Sequence, residues 1–414
     1  MKFKIVLLFV GITLHFLAKA QTDTLQVDTT EAKSPKLLHH LQGNIGLEAT
    51  YFYDSPFLPS QESGQVSLLV NLNYQAWTKN QRLKLIIKPY LRITAFDKSR
   101  SHIDLREGYL LYSAKSWDAK MGFQNISSGF AQGFSVMNVI NQTDDLEVPW
   151  SPVALGQPMI NLGYLKKNFA FRAMAMPFFR VKKLPDFDSR LNIYPLPINT
   201  QNAKIESNNV SWAIKLSDKF LADKLETEVI YFEGLSNTPY IIPTPDFSSL
   251  NLNYLRMNYL GLSSQYVWKS LVVKGEYAYR RQNNQEYWGG MVGFEYPFAN
   301  IGGSAIEMNL FAEYFYDAWR DKNHFPFSKI ALLGNRVDFG DIQSTTLYMK
   351  MLLLPTENTF NRLFVNLEIS RRMMNHWETK ISWVSYIGQA IPKTEPLTVM
   401  QHVNNVTISL NRFF

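Results

Sequence analysis

The chain has 414 residues, no cysteine and a formal net charge of +7 at pH 7. The absence of cysteine excludes a disulfide framework, a thiolate nucleophile, a cysteine-based zinc site and an N-terminal lipid-modified cysteine. Removing Lys2, Lys4 and Lys19 with a leader leaves +4, too little for this length to indicate a nucleic-acid partner.

Lys2 and Lys4 precede an apolar run from Ile5 to Leu17 and then Ala18-Lys19-Ala20. This order of charged, apolar and small residues predicts a secretory signal peptide over residues 1–20. A membrane anchor would need about 20 apolar residues, and Gln21-Thr22-Asp23-Thr24 ends the run sooner. Residues 21–42 are polar, include the pair His39-His40, and read as a flexible periplasmic lead. Length alone would suggest two or three soluble domains, yet after about residue 42 there is no linker, composition shift or amphipathic helix.

From Asn44 the residues alternate with period two, as in a strand with one face in lipid and the other in water. Val66, Leu68, Val70 and Leu72 alternate with Ser67, Asn71 and Asn73. Between Arg82 and Thr94, Leu83, Leu85, Ile87, Leu91 and Ile93 share one parity, and Arg82, Lys84, Lys88, Arg92 and Thr94 share the other. The pattern recurs at Val210, Trp212 and Ile214 against Ser211 and Lys215, and at Val273, Tyr277 and Tyr279 against Lys274, Glu276 and Arg280. Later, Ile306, Met308, Leu310 and Tyr314 oppose Glu307, Asn309 and Glu313, and Leu363, Val365, Leu367 and Ile369 oppose Arg362, Asn366, Glu368 and Ser370.

Connections alternate between short, as at Lys269-Ser270, and long, as at Asp54 to Gly64, Phe178 to Asn208 and Gly234 to Leu250. Trp77, Trp117, Trp268 and Trp377 lie beside short connections, whereas Tyr51, Tyr53, Tyr277, Tyr279, Tyr314 and Tyr316 lie near long ones. Two aromatic girdles suit the two interfaces of a bilayer. A closed barrel satisfies every backbone polar group in lipid, which an open sheet does not. The predicted fold is therefore all-β: a transmembrane antiparallel β-barrel over residues 43–414, with periplasmic termini and about 18 strands. The count falls to about 16 if the weak stretches Phe169 to Met176 and Ile330 to Val337 drop out.

Two residues resist the pattern. Pro89 removes a ladder donor inside the clearest strand, so a bulge or distortion is expected there. Glu107 shares its parity with Leu105, Tyr109 and Leu111, which leaves the facing of that strand open.

At the end of the chain Val406, Ile408, Leu410 and Phe414 fall on one parity. They resemble the C-terminal assembly signal of outer-membrane barrels, which the barrel-insertion machinery reads. Arg412 departs from it, since the third residue from the end is commonly aromatic or apolar. With the barrel in place, the chain resembles the porins and porin-like solute channels of the Gram-negative outer membrane, although no short motif identifies one family. The resemblance implies an outer-membrane location, contact with outer-membrane lipid and small solutes, and leaves a homo-oligomer open. It also implies that the third long loop, Asn125 to Gln157, folds into the lumen. That loop carries Asp144, Asp145 and Glu147, has Gly129 and Gly133 for tight bends, and offers Phe130, Phe134, Pro149 and Trp150 to pack against a wall.

The chemistry expected is passive diffusion of small polar, by preference anionic, solutes. The acidic loop residues would face the basic ladder Arg82, Lys84, Lys88 and Arg92 across a constriction and bias which ions pass. The alternative is a structural or accessory barrel subunit of an outer-membrane export or assembly complex, with Tyr240 to Pro245 as a partner surface. An enzyme is not expected: His39, His40, His102, His324, His376 and His402 sit in the lead, loops, turns or strand ends, outside any recognisable nucleophile–base pattern. No cofactor or metal is expected, because neither a phosphate loop, a dinucleotide fingerprint nor EF-hand spacing occurs.

Overall fold

The computed structural model describes residues 37–148, 153–206, 210–355, 362–391 and 397–414. The expected signal peptide, residues 21–36 of the lead, and Pro149 and Trp150 lie outside these residues. Eighteen antiparallel strands form the wall. They are β1 (Leu37–Phe52), β2 (Gly64–Thr78), β3 (Leu83–Ala95), β4 (His102–Ser113), β5 (Trp117–Gln124), β6 (Gln157–Lys166), β7 (Phe169–Met176), β8 (Ser211–Phe220) and β9 (Leu225–Leu235). The remainder are β10 (Arg256–Trp268), β11 (Leu271–Gln282), β12 (Gln285–Phe298), β13 (Glu307–Asp317), β14 (Lys329–Asp338), β15 (Thr346–Leu354), β16 (Arg362–Met374), β17 (Trp377–Gly388) and β18 (Asn405–Phe413). β1 opens at Leu37, inside the stretch expected to be a flexible lead, and its first six residues are exposed.

Closure is made by β1 on β18, in register from Asn44 opposite Phe413 to Phe52 opposite Asn405. Gly43 and Phe414 extend it by exchanging backbone N–H···O bonds, both 3.0 Å. Among the described residues the barrel thus has no unpaired outer edge strand, the condition lipid imposes on a sheet. The two-residue period sets the faces. On β11, Lys274, Glu276, Ala278, Arg280 and Gln282 point inward and are buried, while Val273 and Tyr277 are exposed on the lipid side.

The barrel is turned by short connections at one end, such as 269–270 and 375–376, and Trp77, Trp117, Trp268 and Trp377 stand at strand ends beside these turns. At the opposite end Trp212 packs on Tyr231 and Trp288 on Tyr316, with ring centroids 5.1 and 4.9 Å apart. That end carries the long loops L3 (125–156), L4 (177–210), L5 (236–255), L7 (318–328) and L9 (389–404). It also holds one tight connection, Asn283-Asn284, whose left-handed φ values of 51° and 55° make a two-residue hairpin turn. Within the loops, Ile198–Ile205 of L4 and Tyr240–Pro243 of L5 flank Leu250–Tyr254 in a small three-stranded sheet.

Pro89 does coincide with a bulge, whose extra residue lies on the neighbouring strand. Lys88 pairs with Glu107 and Pro89 with Leu105, so Arg106 is the unmatched residue on β4. An extra residue reverses the alternation beyond it. Asp104 lies opposite Tyr90 on one side of the bulge, and Glu107 opposite Lys88 on the other, so both face inward despite opposite parity. Arg106 faces inward too, its guanidinium 4.5 Å from the Tyr90 ring. This answers the ambiguity at Glu107.

The two weak stretches are strands β7 and β14. Their alternation is faint because their inward faces are apolar as well: Met174, Met176, Ile330 and Leu332 are buried. They belong to one apolar cluster with Met137 and Ile140 of L3, Ile193 and Tyr194 of L4, and Leu252 and Tyr254 of L5. The loops at this end therefore pack inside the lumen rather than stand above it.

Candidate functional site

L3 leaves β5 after Gln124 and crosses to the wall formed by β9, β11 and β13. Each of those strands points a glutamate inward. Glu228 accepts the Gly129 N–H at 2.9 Å. Glu276 accepts the N–H groups of Phe130, Ala131 and Val136 at 2.9, 3.2 and 3.0 Å, and the Ser135 hydroxyl at 2.8 Å. Glu313 accepts Gln132 N–H at 2.6 Å and Gly133 N–H at 2.9 Å. Charge-assisted bonds of this kind are about twice as strong as neutral ones, and they satisfy a loop tip that has no secondary structure to satisfy it.

The two glycines make the approach possible. Gly129 has a left-handed φ of 84°, and a Cβ there would overlap Glu276 Oε1. A Cβ on Gly133 would overlap Leu332 Cδ2 and sit 3.3 Å from Glu313 Oε2.

The base of L3 meets the wall through its acidic residues. Arg92 Nη2 lies 2.7 Å from Glu147 Oε2, and Arg92 Nη1 lies 2.8 Å from Glu48 Oε1. The Tyr90 hydroxyl donates to Glu147 at 2.6 Å. Asp144 is fully buried, 2.8 Å from Arg106 Nη1 and 3.0 Å from His102 Nε2. Burial pushes the Asp144 carboxyl up, but the hydrogen bond to His102 and the charge of Arg106 outweigh it and hold the carboxyl below its ordinary value. Asp145 turns the other way and pairs with Lys182 of L4 at 2.9 Å.

Of the basic ladder, Arg92 is the member that meets the loop acids. Lys88 pairs with Glu107 at 2.9 Å across the bulge. Lys84 lies 5.9 Å from the Trp77 ring near the short-turn end, and Arg82 is exposed in the turn beside Asn80. The expected constriction is thus a contact network rather than two rows of charge facing across a gap. Opposite charges in contact largely cancel, so the transverse field from this region is short-ranged.

His102, Asp144 and Glu147 bring one ligand atom each within 4.8 Å of one another, the geometry of a three-ligand metal cage. Arg92 and Arg106 already occupy those carboxylates. His102 Nδ1 faces the Arg100 carbonyl at 2.8 Å while Nε2 faces Asp144 at 3.0 Å, so both ring nitrogens are engaged within the network. Sequence reading missed this non-local pairing, and it missed the role of Glu228, Glu276 and Glu313. For the glutamates a signal existed: carboxylates on inward parity, facing a glycine-containing loop whose N–H groups need acceptors.

Two cavities border L3. One cavity of about 350 Å³ lies beside its base, lined by Arg92, Arg100 and Lys380 and by Glu48, Glu147 and Glu368. Another of about 420 Å³ lies among L3, L4, L5 and L7, with Lys350 of β15 its one lining residue on a wall strand. The terminal residues expected to be an assembly signal lie on β18 and its end, with Ile408 and Leu410 exposed to the lipid side, Val406 opposite Tyr51 and Phe414 paired to Gly43. Arg412 stacks over Trp377 at 5.7 Å.

No protein-family model matches the chain, and no curated protein does. Among solved structures, it is similar to a loop L8 deletion mutant of OmpT, an outer membrane protein of Vibrio cholerae, with 10% identity, 92% of this chain and 100% of that chain covered, and a TM-score of 0.45. It is also similar to a triple mutant of Rhodopseudomonas blastica porin, with 10% identity, 91% and 100% coverage, and a TM-score of 0.48.

Proposed function

We propose that the protein is an outer-membrane channel for the passive diffusion of small polar solutes, with a preference for anionic ones. The observation that carries this is L3 held across the lumen by Glu228, Glu276 and Glu313, with one cavity beside its base and another among L3 and the neighbouring loops. A loop fixed inside a barrel narrows the path without sealing it by covalent bulk, and the residues left on the path set selectivity. Arg92, Asp144 and Glu147 support the loop base in this reading, and Lys350 and Lys380 supply cationic character to the two cavities.

A second reading is favoured by one feature. The apolar packing of L3, L4 and L5 within the barrel suits a scaffold whose lumen stays shut, such as an accessory subunit of an export or assembly complex. Planar-bilayer recording of the purified, folded protein separates the two. Conductance is expected from the wild type, and a larger conductance from the Glu276→Ala, Glu313→Ala double variant, in which the loop tip loses its acceptors. A folded wild type that passes no current would reject the channel and leave the scaffold.

A further inference from the structure

The cavity of about 420 Å³ among L3, L4, L5 and L7 falls within the ~300–1,000 Å³ range of small-molecule sites. Three cations line it, Lys182, Arg320 and Lys350, against one carboxylate, Asp145. Two of these cations are engaged. Lys182 lies 2.9 Å from Asp145, and Arg320 lies 3.5 Å from Asp317 while donating to the Pro326 carbonyl at 3.0 Å.

Lys350 differs. It is 9% exposed, and among the described residues no acceptor or carboxylate contacts its ammonium. The carboxylate whose charge it feels, Glu313, is taken up by the N–H groups of Gln132 and Gly133. Burying an ammonium without a contacting counter-charge is costly, and an anion entering the cavity removes that cost. The surroundings define the rest of such a ligand. The Lys350 ammonium stands 5.8 Å from the Phe134 ring, Phe325 and Phe327 line the same space, and Gln132 and Asn138 are exposed to it.

We propose that this cavity is a binding site for a small carboxylic acid with an apolar or aromatic body, its carboxylate on Lys350 and its body against Phe134 and Phe325. The proposal rests on the channel reading for the ligand's way in and names the solute class that reading leaves open. A neutral analogue lacks the charge, and inorganic phosphate lacks the body, so both bind more weakly than the acid.

Isothermal titration of the full-length, detergent-folded protein with benzoate, benzyl alcohol and inorganic phosphate tests this. Benzoate binding is expected, reduced about tenfold or more in Lys350→Gln and restored in Lys350→Arg. Absence of benzoate binding, unchanged affinity in Lys350→Gln, or benzyl alcohol or phosphate binding as tightly as benzoate overturns the proposal. Should Lys350→Gln fail to fold, Phe134→Leu replaces it, and undiminished benzoate affinity there overturns it equally. Bilayer recordings on the same samples keep the two readings apart. Current without benzoate binding removes the site and leaves the channel, whereas benzoate binding to a protein that carries no current removes the channel and leaves the site.

Discussion

Arg92 is the residue on which the base of L3 depends. Its guanidinium is 3% exposed and serves Glu147 and Glu48 together. Replacing it by methionine keeps much of the volume but takes the nearest cation from two inward carboxylates, leaving Glu147 with the Tyr90 hydroxyl and Glu48 with Arg100 at 3.9 Å, and breaking a buried pair from one side costs up to about 3–5 kcal/mol. Arg92→Met should therefore lower the urea midpoint of the detergent-folded barrel well below that of the wild type, and Arg92→Met with Glu147→Gln should recover part of the loss; a single variant as stable as the wild type would mean the network holds nothing. Asp144 makes a pH prediction. Its carboxyl titrates lower in the folded protein than in the unfolded chain, so its contribution is complete above the ordinary aspartate value of about 3.9 and is lost as pH falls through the lower folded value. Thermal unfolding followed from pH 7 into that acid range should show a steeper fall for the wild type than for Asp144→Asn. Parallel curves would assign the acid sensitivity elsewhere.

Strand β4 shows how one element can carry two faces. A single extra residue, Arg106, opposite Pro89 lets Asp104 and Glu107 both reach the lumen, where Asp104 pairs with Arg180 and Lys183 at 2.6 and 3.1 Å. Deleting Arg106 would restore a regular ladder in which His102, Asp104 and Glu107 keep their partners Arg92, Tyr90 and Lys88 and still face the lumen, and it would remove the guanidinium 2.8 Å from Asp144. Arg106→Ala keeps the residue count and loses one side chain. The heat-modifiable folded band on a gel should survive in both variants with a similarly lowered urea midpoint, and loss of the band in the deletion alone would show that the extra residue itself is required. Alternation made most of the wall legible, including the inward set Lys274, Glu276 and Arg280, because a greasy outside and a wet inside leave a period of two in the chain. It faded at Met174, Met176, Ile330 and Leu332, where the inside is apolar because loops pack there. The site was less legible than the wall. Arg92, Asp144 and Glu147 could be named from charge, but the contacts of Asp144 and Glu147 with Tyr90, Arg92, His102 and Arg106 join residues 38 to 57 positions apart, and no local period encodes such distances.

At the scale of the whole molecule, Phe414 is where the seam and the assembly-signal reading meet. Phe414 exchanges two backbone bonds with Gly43 at the seam between β1 and β18, and it is also the terminal aromatic that resembles an assembly signal. The two roles separate by magnitude. Removing Phe414 deletes two hydrogen bonds worth about 1 kcal/mol each from a seam whose register still runs from Asn44 to Phe52, so the purified chain should refold in detergent nearly as well as the wild type. The assembly-signal reading makes a different demand, because it requires the Phe414 side chain itself. The truncated chain should therefore reach the outer membrane of cells several-fold less well than it refolds in vitro. Equal, large losses in both assays would assign Phe414 to closure alone. Undiminished assembly in cells would remove the terminal-signal reading, leaving the exposed Ile408 and Leu410 as ordinary lipid-facing residues of β18.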